Sequence, residues 1–128
     1  MTPVQVDWGR CRDWIRAAVE PTGLYLIEDI ERAIAAGAMQ FWPGKYCAAV
    51  TEFVAYPNCK VLNVFAGGGV RGKALRELTR EMEPAFLRWA RASGCKKIIG
   101  FGINPAWKPV CEAMGYGHIW TVMAKDVE

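Results

Sequence analysis

Apolar positions along the chain follow two rhythms, one of strands and one of helices, and the rest is organised around their junction in residues 61–94. Val61-Leu62-Asn63-Val64-Phe65-Ala66 is rich in β-branched and aromatic residues and predicts a buried strand. A glycine-rich stretch follows, Gly67-Gly68-Gly69-Val70-Arg71-Gly72-Lys73-Ala74. Leu75, Leu78, Met82, Phe86 and Trp89 then recur at the spacing of one helix face. Pro84 lacks a backbone donor and clashes with the preceding turn, so this helix is expected to kink or break near Glu83 before Gly94 ends it.

Upstream, Asp7 is placed to cap a first helix carrying Trp8, Cys11, Ile15 and Ala18 on one face, closed by Pro21-Thr22-Gly23. A second helix is predicted from about Tyr25 to Ala36, with Ile27, Ile30 and Ile34 inward and Gly37 as its stop. Met39 to Trp42 and Tyr46 to Tyr56 read as strands. Turns at Pro43-Gly44 and Pro57-Asn58 join them to the strand at Val61 as an antiparallel meander. Beyond Gly94, Lys97 to Ile103 predicts a strand parallel to the one at Val61, because a helical crossover links the two. Asn104-Pro105 opens a short helix with Trp107, Val110, Cys111 and Met114 on one face, and Pro109 moves its start toward Lys108. His118 to Met123 predicts a last strand.

Composition narrows the class without deciding it. The chain has 128 residues, 52% of them apolar, with charges of both signs spread along it, so one folded domain over 1–128 is expected. A net charge of +3 is too small to argue for nucleic acid. No long apolar span or export signal is visible, which points away from membranes and toward the cytoplasm. The five cysteines are widely spaced without a Cys-x-x-Cys, which favours reduced thiols and no metal site. Six tryptophans are many for this length, and some are candidates for a contact surface.

The glycine-rich stretch is the best candidate for chemistry. A strand feeding a glycine turn that opens a helix leaves backbone N–H groups without internal partners at the positive end of the helix dipole, which suits an anion. Arg71 and Lys73 would sit unfavourably at that end unless an anion is bound. The plainer reading is a connection that uses glycine for turn geometry alone. Gly67-x-x-x-x-Gly72-Lys73 also approaches the nucleotide-binding P-loop, but Ala74 stands where a magnesium-binding hydroxyl is needed.

The order of helix, helix, three strands, helix, strand, helix, strand resembles the acyl-CoA-dependent N-acyltransferases of the GNAT superfamily over nearly the whole chain. The cofactor loop of that family reads Arg/Gln-x-x-Gly-x-Gly/Ala, and Gly69-Val70-Arg71-Gly72-Lys73-Ala74 occupies its place, with Gly69 where the family has Arg or Gln. The resemblance implies a mixed α/β (α+β) fold with a twisted, mostly antiparallel sheet flanked by helices. It also implies that amides of Val70 to Ala74 hold the pyrophosphate of acetyl-CoA or another acyl-CoA, and that Asn104 belongs to the cofactor site. Cys111-Glu112-Ala113-Met114-Gly115-Tyr116 is similar to the family's Tyr-Glu-Lys-x-Gly-Phe segment, with Cys111 in place of the tyrosine that acts as general acid. Gln40-Phe41-Trp42, Ala49-Val50-Thr51-Glu52, Tyr56-Pro57 and Trp89-Ala90-Arg91 are also similar to small GNAT-type proteins of tailed bacteriophages.

Transfer to an amine needs a group to take the proton from the nucleophile. Glu52, mid-strand among apolar neighbours, and His118 are the candidate bases, and Cys111 is a candidate acid; solvated or core roles are the plain alternatives for each. Two functions follow. One is an acyl-CoA-dependent N-acyltransferase with a small-molecule or protein amine as acceptor. The other is a non-catalytic phage virion or assembly protein that keeps the fold and binds phage structural proteins or further copies of itself.

Overall fold

The computed structural model describes residues 2–100 and 105–127. Helix α1 (Pro3–Val19) begins earlier than Asp7 because Thr2 and Gln5 form a capping box and a proline opens the first turn. The Gln5 amide donates to Thr2 Oγ1 at 3.2 Å and the Thr2 amide to Gln5 Oε1 at 2.7 Å. Asp7, expected as the cap, pairs instead with Arg10 at 3.1 Å. Cys11, Ile15 and Val19 recur every fourth residue on the buried face, so Val19 rather than Ala18 completes it.

A short 3-10 turn (Glu20–Thr22) leads to α2 (Ile27–Ala35), whose first donors are met by Asp29 and Glu20 carboxylates at 2.8 and 3.0 Å. Gly37 leaves the helix in the left-handed region at φ 77°. Glu31 ties the two helices together, accepting from Trp8 Nε1 at 2.7 Å and from Arg12 Nε and Nη2 at 3.1 and 3.2 Å.

Strands β1 (Gln40–Pro43), β2 (Cys47–Ala55) and β3 (Lys60–Gly69) form the expected antiparallel meander. Strand β4 (Lys97–Gly100) then pairs parallel to β3, giving a mixed sheet in the order β1-β2-β3-β4. The register of β2 on β3 shifts between Val50 and Thr51, which leaves Phe65 as the extra residue of a bulge. Phe65 packs edge-on against Tyr25, 4.9 Å between centroids.

β3 runs further than its apolar pattern predicted. Gly67, Gly68 and Gly69, read as the start of a loop, pair with Ala49, Ala48 and Cys47. The reason is close packing. A Cβ on Gly69 would collide with the Tyr46 carbonyl and Cys47, and one on Gly68 would come to 2.9 Å from the Trp14 carbonyl of α1.

The helix after the turn is broken as Pro84 requires. α3 (Ala74–Glu77) passes into a π segment (Leu78–Met82), where the Glu83 amide reaches back to the Leu78 carbonyl, and α4 (Glu83–Ala92) restarts with Pro84 in its first turn. Alternation along β2 feeds two cores. Ala48 and Val50 face α1 and α2, while Cys47 and Ala49 join Met82, Phe86 and Ala90 under α3 and α4.

A 3-10 turn (Pro105–Trp107) precedes α5 (Lys108–Ala113), which starts at Lys108 as Pro109 suggested. The expected strand at His118 to Met123 does not form. Its composition suits a strand, but no ladder partner engages it among the described residues, and Ile119, Val122 and Met123 stay 62%, 70% and 88% exposed. Just before it, Tyr116 Oη donates to Glu83 Oε1 at 3.2 Å, and within it the Trp120 ring stands 6.4 Å from that of Tyr56. Phe101 to Asn104, including the end of the predicted strand and the candidate Asn104, lies outside the described residues. No helix among the described residues is long and apolar enough to cross a membrane.

Candidate functional site

The turn from Val70 to Lys73 joins β3 to α3 and is pinned to the start of β2. The Val70 amide donates to the Tyr46 carbonyl at 2.8 Å, and the Val70 carbonyl accepts from Lys73 and Ala74 at 3.0 and 2.9 Å. Of the five amides expected to face a phosphate, those of Val70, Lys73 and Ala74 are therefore engaged within the protein. Those of Arg71 and Gly72 make no hydrogen bond among the described residues. Gly72 turns the chain at φ 83°, a conformation that glycine adopts without strain. Arg71, Gly72 and Lys73 are exposed, whereas Ala74 is buried in the core beneath α4. Gly69, the remaining residue of the loop motif, is the strand position packed on Tyr46, where no side chain fits.

A residue that the sequence did not single out holds this turn in place. Glu77, at the end of α3, accepts the amides of Tyr46 and Cys47 on Oε1 at 2.8 and 2.9 Å and that of Lys45 on Oε2 at 3.0 Å. Successive N–H groups thus form a nest around its carboxylate. Burial opposes the charge, but these donors and the Cys47 thiol outweigh it and hold the carboxyl below its ordinary range. Gly44 is required beside it, because a Cβ there would collide with Glu77 Oε1. Helix pattern could not reveal this, since the bonds span 30 to 32 residues of chain.

No hydrogen bond joins Glu52, His118 and Cys111 to one another among the described residues. Glu52 is half-buried on β2, and its Oε1 accepts from Asn63 Nδ2 at 3.1 Å across the β2–β3 ladder. Asn63 is 1% exposed and its own Oδ1 has no partner among the described residues. The pair lies one residue before Val64↔Gly100, where the described β3–β4 ladder ends while β3 continues to Gly69. His118 is exposed, 3.0 Å from Thr121 Oγ1. Cys111 is half-buried on α5, and burial pushes its thiol up, which keeps it protonated. Burial, then the Glu83 carboxylate that its hydroxyl contacts, also pushes Tyr116 well above an ordinary phenol. No metal-binding group of His, Cys, Asp or Glu occurs among the described residues.

This architecture is shared with solved acetyltransferases. An acetyltransferase from Trypanosoma brucei is 13% identical, with 79% of this chain and 78% of that one covered at a TM-score of 0.61. Aminoglycoside N-acetyltransferase AAC(6')-Iy, solved in complex with CoA, is 15% identical over 78% of this chain and 74% of that one, TM-score 0.58. A protein from Thermus thermophilus covers 95% of this chain and 91% of its own at 18% identity, TM-score 0.59. At these identities the likeness is one of fold. No family model matches the sequence, and no curated protein matches it either.

Proposed function

We propose that the protein is an acyl-CoA-dependent N-acyltransferase acting on an amine carried by a small molecule or a protein. The observation that carries this reading is the pair of unpartnered amides at Arg71 and Gly72, beside the Lys73 side chain and at the end of a strand, in a fold shared with a CoA-bound acetyltransferase. Those amides and cations suit a pyrophosphate, although Gly69 supplies no side chain to it. When bound, an acyl-CoA supplies an acyl group activated as a thioester.

The remaining work falls to this chain's own residues. Asn63 Nδ2 holds the Glu52 carboxylate in place, and Glu52 takes the proton that the attacking amine loses as its nitrogen bonds to the carbonyl carbon. No acid for the leaving group is assigned to Cys111, half-buried on α5, or to His118, which is exposed beside Thr121.

A second reading is a bacteriophage virion or assembly protein that keeps the fold without the chemistry. It draws on Ile119, Val122 and Met123, whose exposure would serve a protein contact, including one with another copy. Calorimetry with acetyl-CoA separates the two. Saturable binding that is lost in Gly72→Glu, which adds a carboxylate beside both free amides, supports the transferase. Absence of binding to the folded protein, with incorporation into a particle or stable oligomer, supports the second.

A further inference from the structure

Beside the two free amides, Lys73 belongs to a cluster of cations that extends beyond the turn itself. The Lys73 ammonium sits 4.6 Å from the centroid of the Tyr46 ring, and the Lys45 ammonium sits 5.2 Å from the same centroid. One aromatic ring therefore gathers side chains from the β1–β2 turn and from the β3–α3 turn. We propose that Lys45, Tyr46 and Lys73 form a subsite for the ribose 3′-phosphate of the acyl-CoA. This inference rests on the acyl-CoA reading above and specifies which part of that ligand the chain discriminates.

The backbone that carries the ring is anchored at both polar groups, the Tyr46 amide on Glu77 and the Tyr46 carbonyl under the Val70 amide. Neither lysine is neutralised by an ion pair among the described residues, and the same holds for the exposed Arg71. Two carboxylates close to the β1–β2 turn are committed elsewhere. Asp7 is bonded to Arg10, and both oxygens of Glu77 are taken by the three amides of the β1–β2 turn. Two ammonium groups drawn to one ring repel each other unless an anion lies with them.

A phosphomonoester answers that arrangement in charge and geometry. It carries close to two negative charges at neutral pH, and lysines meet it as point charges where the oxygens are not aligned for a fork. In an acyl-CoA the 3′-phosphate is attached to the same ribose that leads to the pyrophosphate. One ligand can therefore meet the amides of Arg71 and Gly72 with one group and the lysines with the other. The cluster is compact rather than a stripe, which suits a single phosphate better than a nucleic-acid backbone.

Calorimetry of the full chain with acetyl-CoA and with 3′-dephospho-acetyl-CoA at matched ionic strength tests this. The native protein is expected to bind the dephospho compound about ten-fold more weakly, the scale of a charge-assisted contact. In Lys45→Gln/Lys73→Gln the ratio between the two ligands should fall to about one, and each single variant should lose part of it. Raising the salt should shrink the native ratio toward that of the double variant. Equal affinity of the native protein for both ligands overturns the subsite and leaves the transferase reading intact. Undiminished discrimination in the double variant does the same. If the native protein binds neither thioester, the acyl-CoA reading itself falls and the subsite falls with it.

Discussion

Glu77 and Tyr46 stand 31 residues apart in the chain, yet the carboxylate of the first receives the backbone N–H of the second at 2.8 Å. The adjoining amides of Lys45 and Cys47 close on the same group, so one side chain fastens the start of the α3–α4 helix to the β1–β2 turn. Removing it in Glu77→Ala leaves those donors without their acceptor. The expected loss is about 2–3 kcal/mol, the scale of hydrogen bonding to a charged group, read as a lower urea midpoint at unchanged slope. Glu77→Gln keeps one acceptor oxygen and should lose about half as much.

Acid should find the same weakness. Glu77 is held below its ordinary value of 4.5 by its amide donors against the opposing effect of burial. Glu31 is also held below 4.5, first by the Arg12 guanidinium, with the Trp8 indole helping against burial. A carboxyl depressed in the folded state contributes stability that is fully present above its unfolded value and lost as pH falls through the folded one. Urea midpoints measured from pH 7 downward should therefore stay level until about pH 4.5 and decline below it. Glu31→Gln/Glu77→Gln should start lower and show a shallower decline, whereas an equally steep decline in that variant would assign the acid sensitivity to other groups.

Gly69→Arg is a test with an unusual sign. It makes the loop motif look more like that of the GNAT family, yet the new Cβ would drive into the Tyr46 carbonyl and the Cys47 backbone. The expected result is destabilisation of about 3 kcal/mol or more and weaker, not stronger, binding of acetyl-CoA. Thermal melting with and without ligand reads both.

Thiol reactivity should sort by burial. Cys11 and Cys47 are buried, and burial together with the Glu77 carboxylate pushes the Cys47 thiol up to about 12. Alkylation of the folded protein at pH 8, followed by peptide mass spectrometry, should label Cys59 and Cys95 well before either. Rapid labelling of Cys47 would show that the β1–β2 turn opens far more readily than its bonds suggest.

The layout of the chain was legible wherever one residue pattern decided one element. Ile27, Ile30 and Ile34 set α2, the run from Tyr46 to Tyr56 between the turn residues Pro43-Gly44 and Pro57-Asn58 set β2, and the helical link between β3 and β4 set their parallel pairing. The break at Pro84 followed from its missing donor. Errors arose where the deciding contact was distant in sequence. Three consecutive glycines look like a loop until Trp14 and Tyr46 are brought against them. The tail from His118 has the composition of a strand, but composition provides only one side of a ladder. The candidate site was legible to the same degree. Gly72 and its turn were found, Ala74 proved to be core, and Glu77 was missed because its donors come from another part of the chain.

The last three positions of β3 carry no side chains, so this end of the strand offers a bare ribbon of peptide groups. Such a surface has a fixed texture that point substitution can scarcely modify, since Gly68 and Gly69 are enclosed by backbone. Any selectivity that the acyl-CoA proposal calls for would consequently have to be written at the margins, where the side chains of Lys45, Arg71 and Lys73 are exposed.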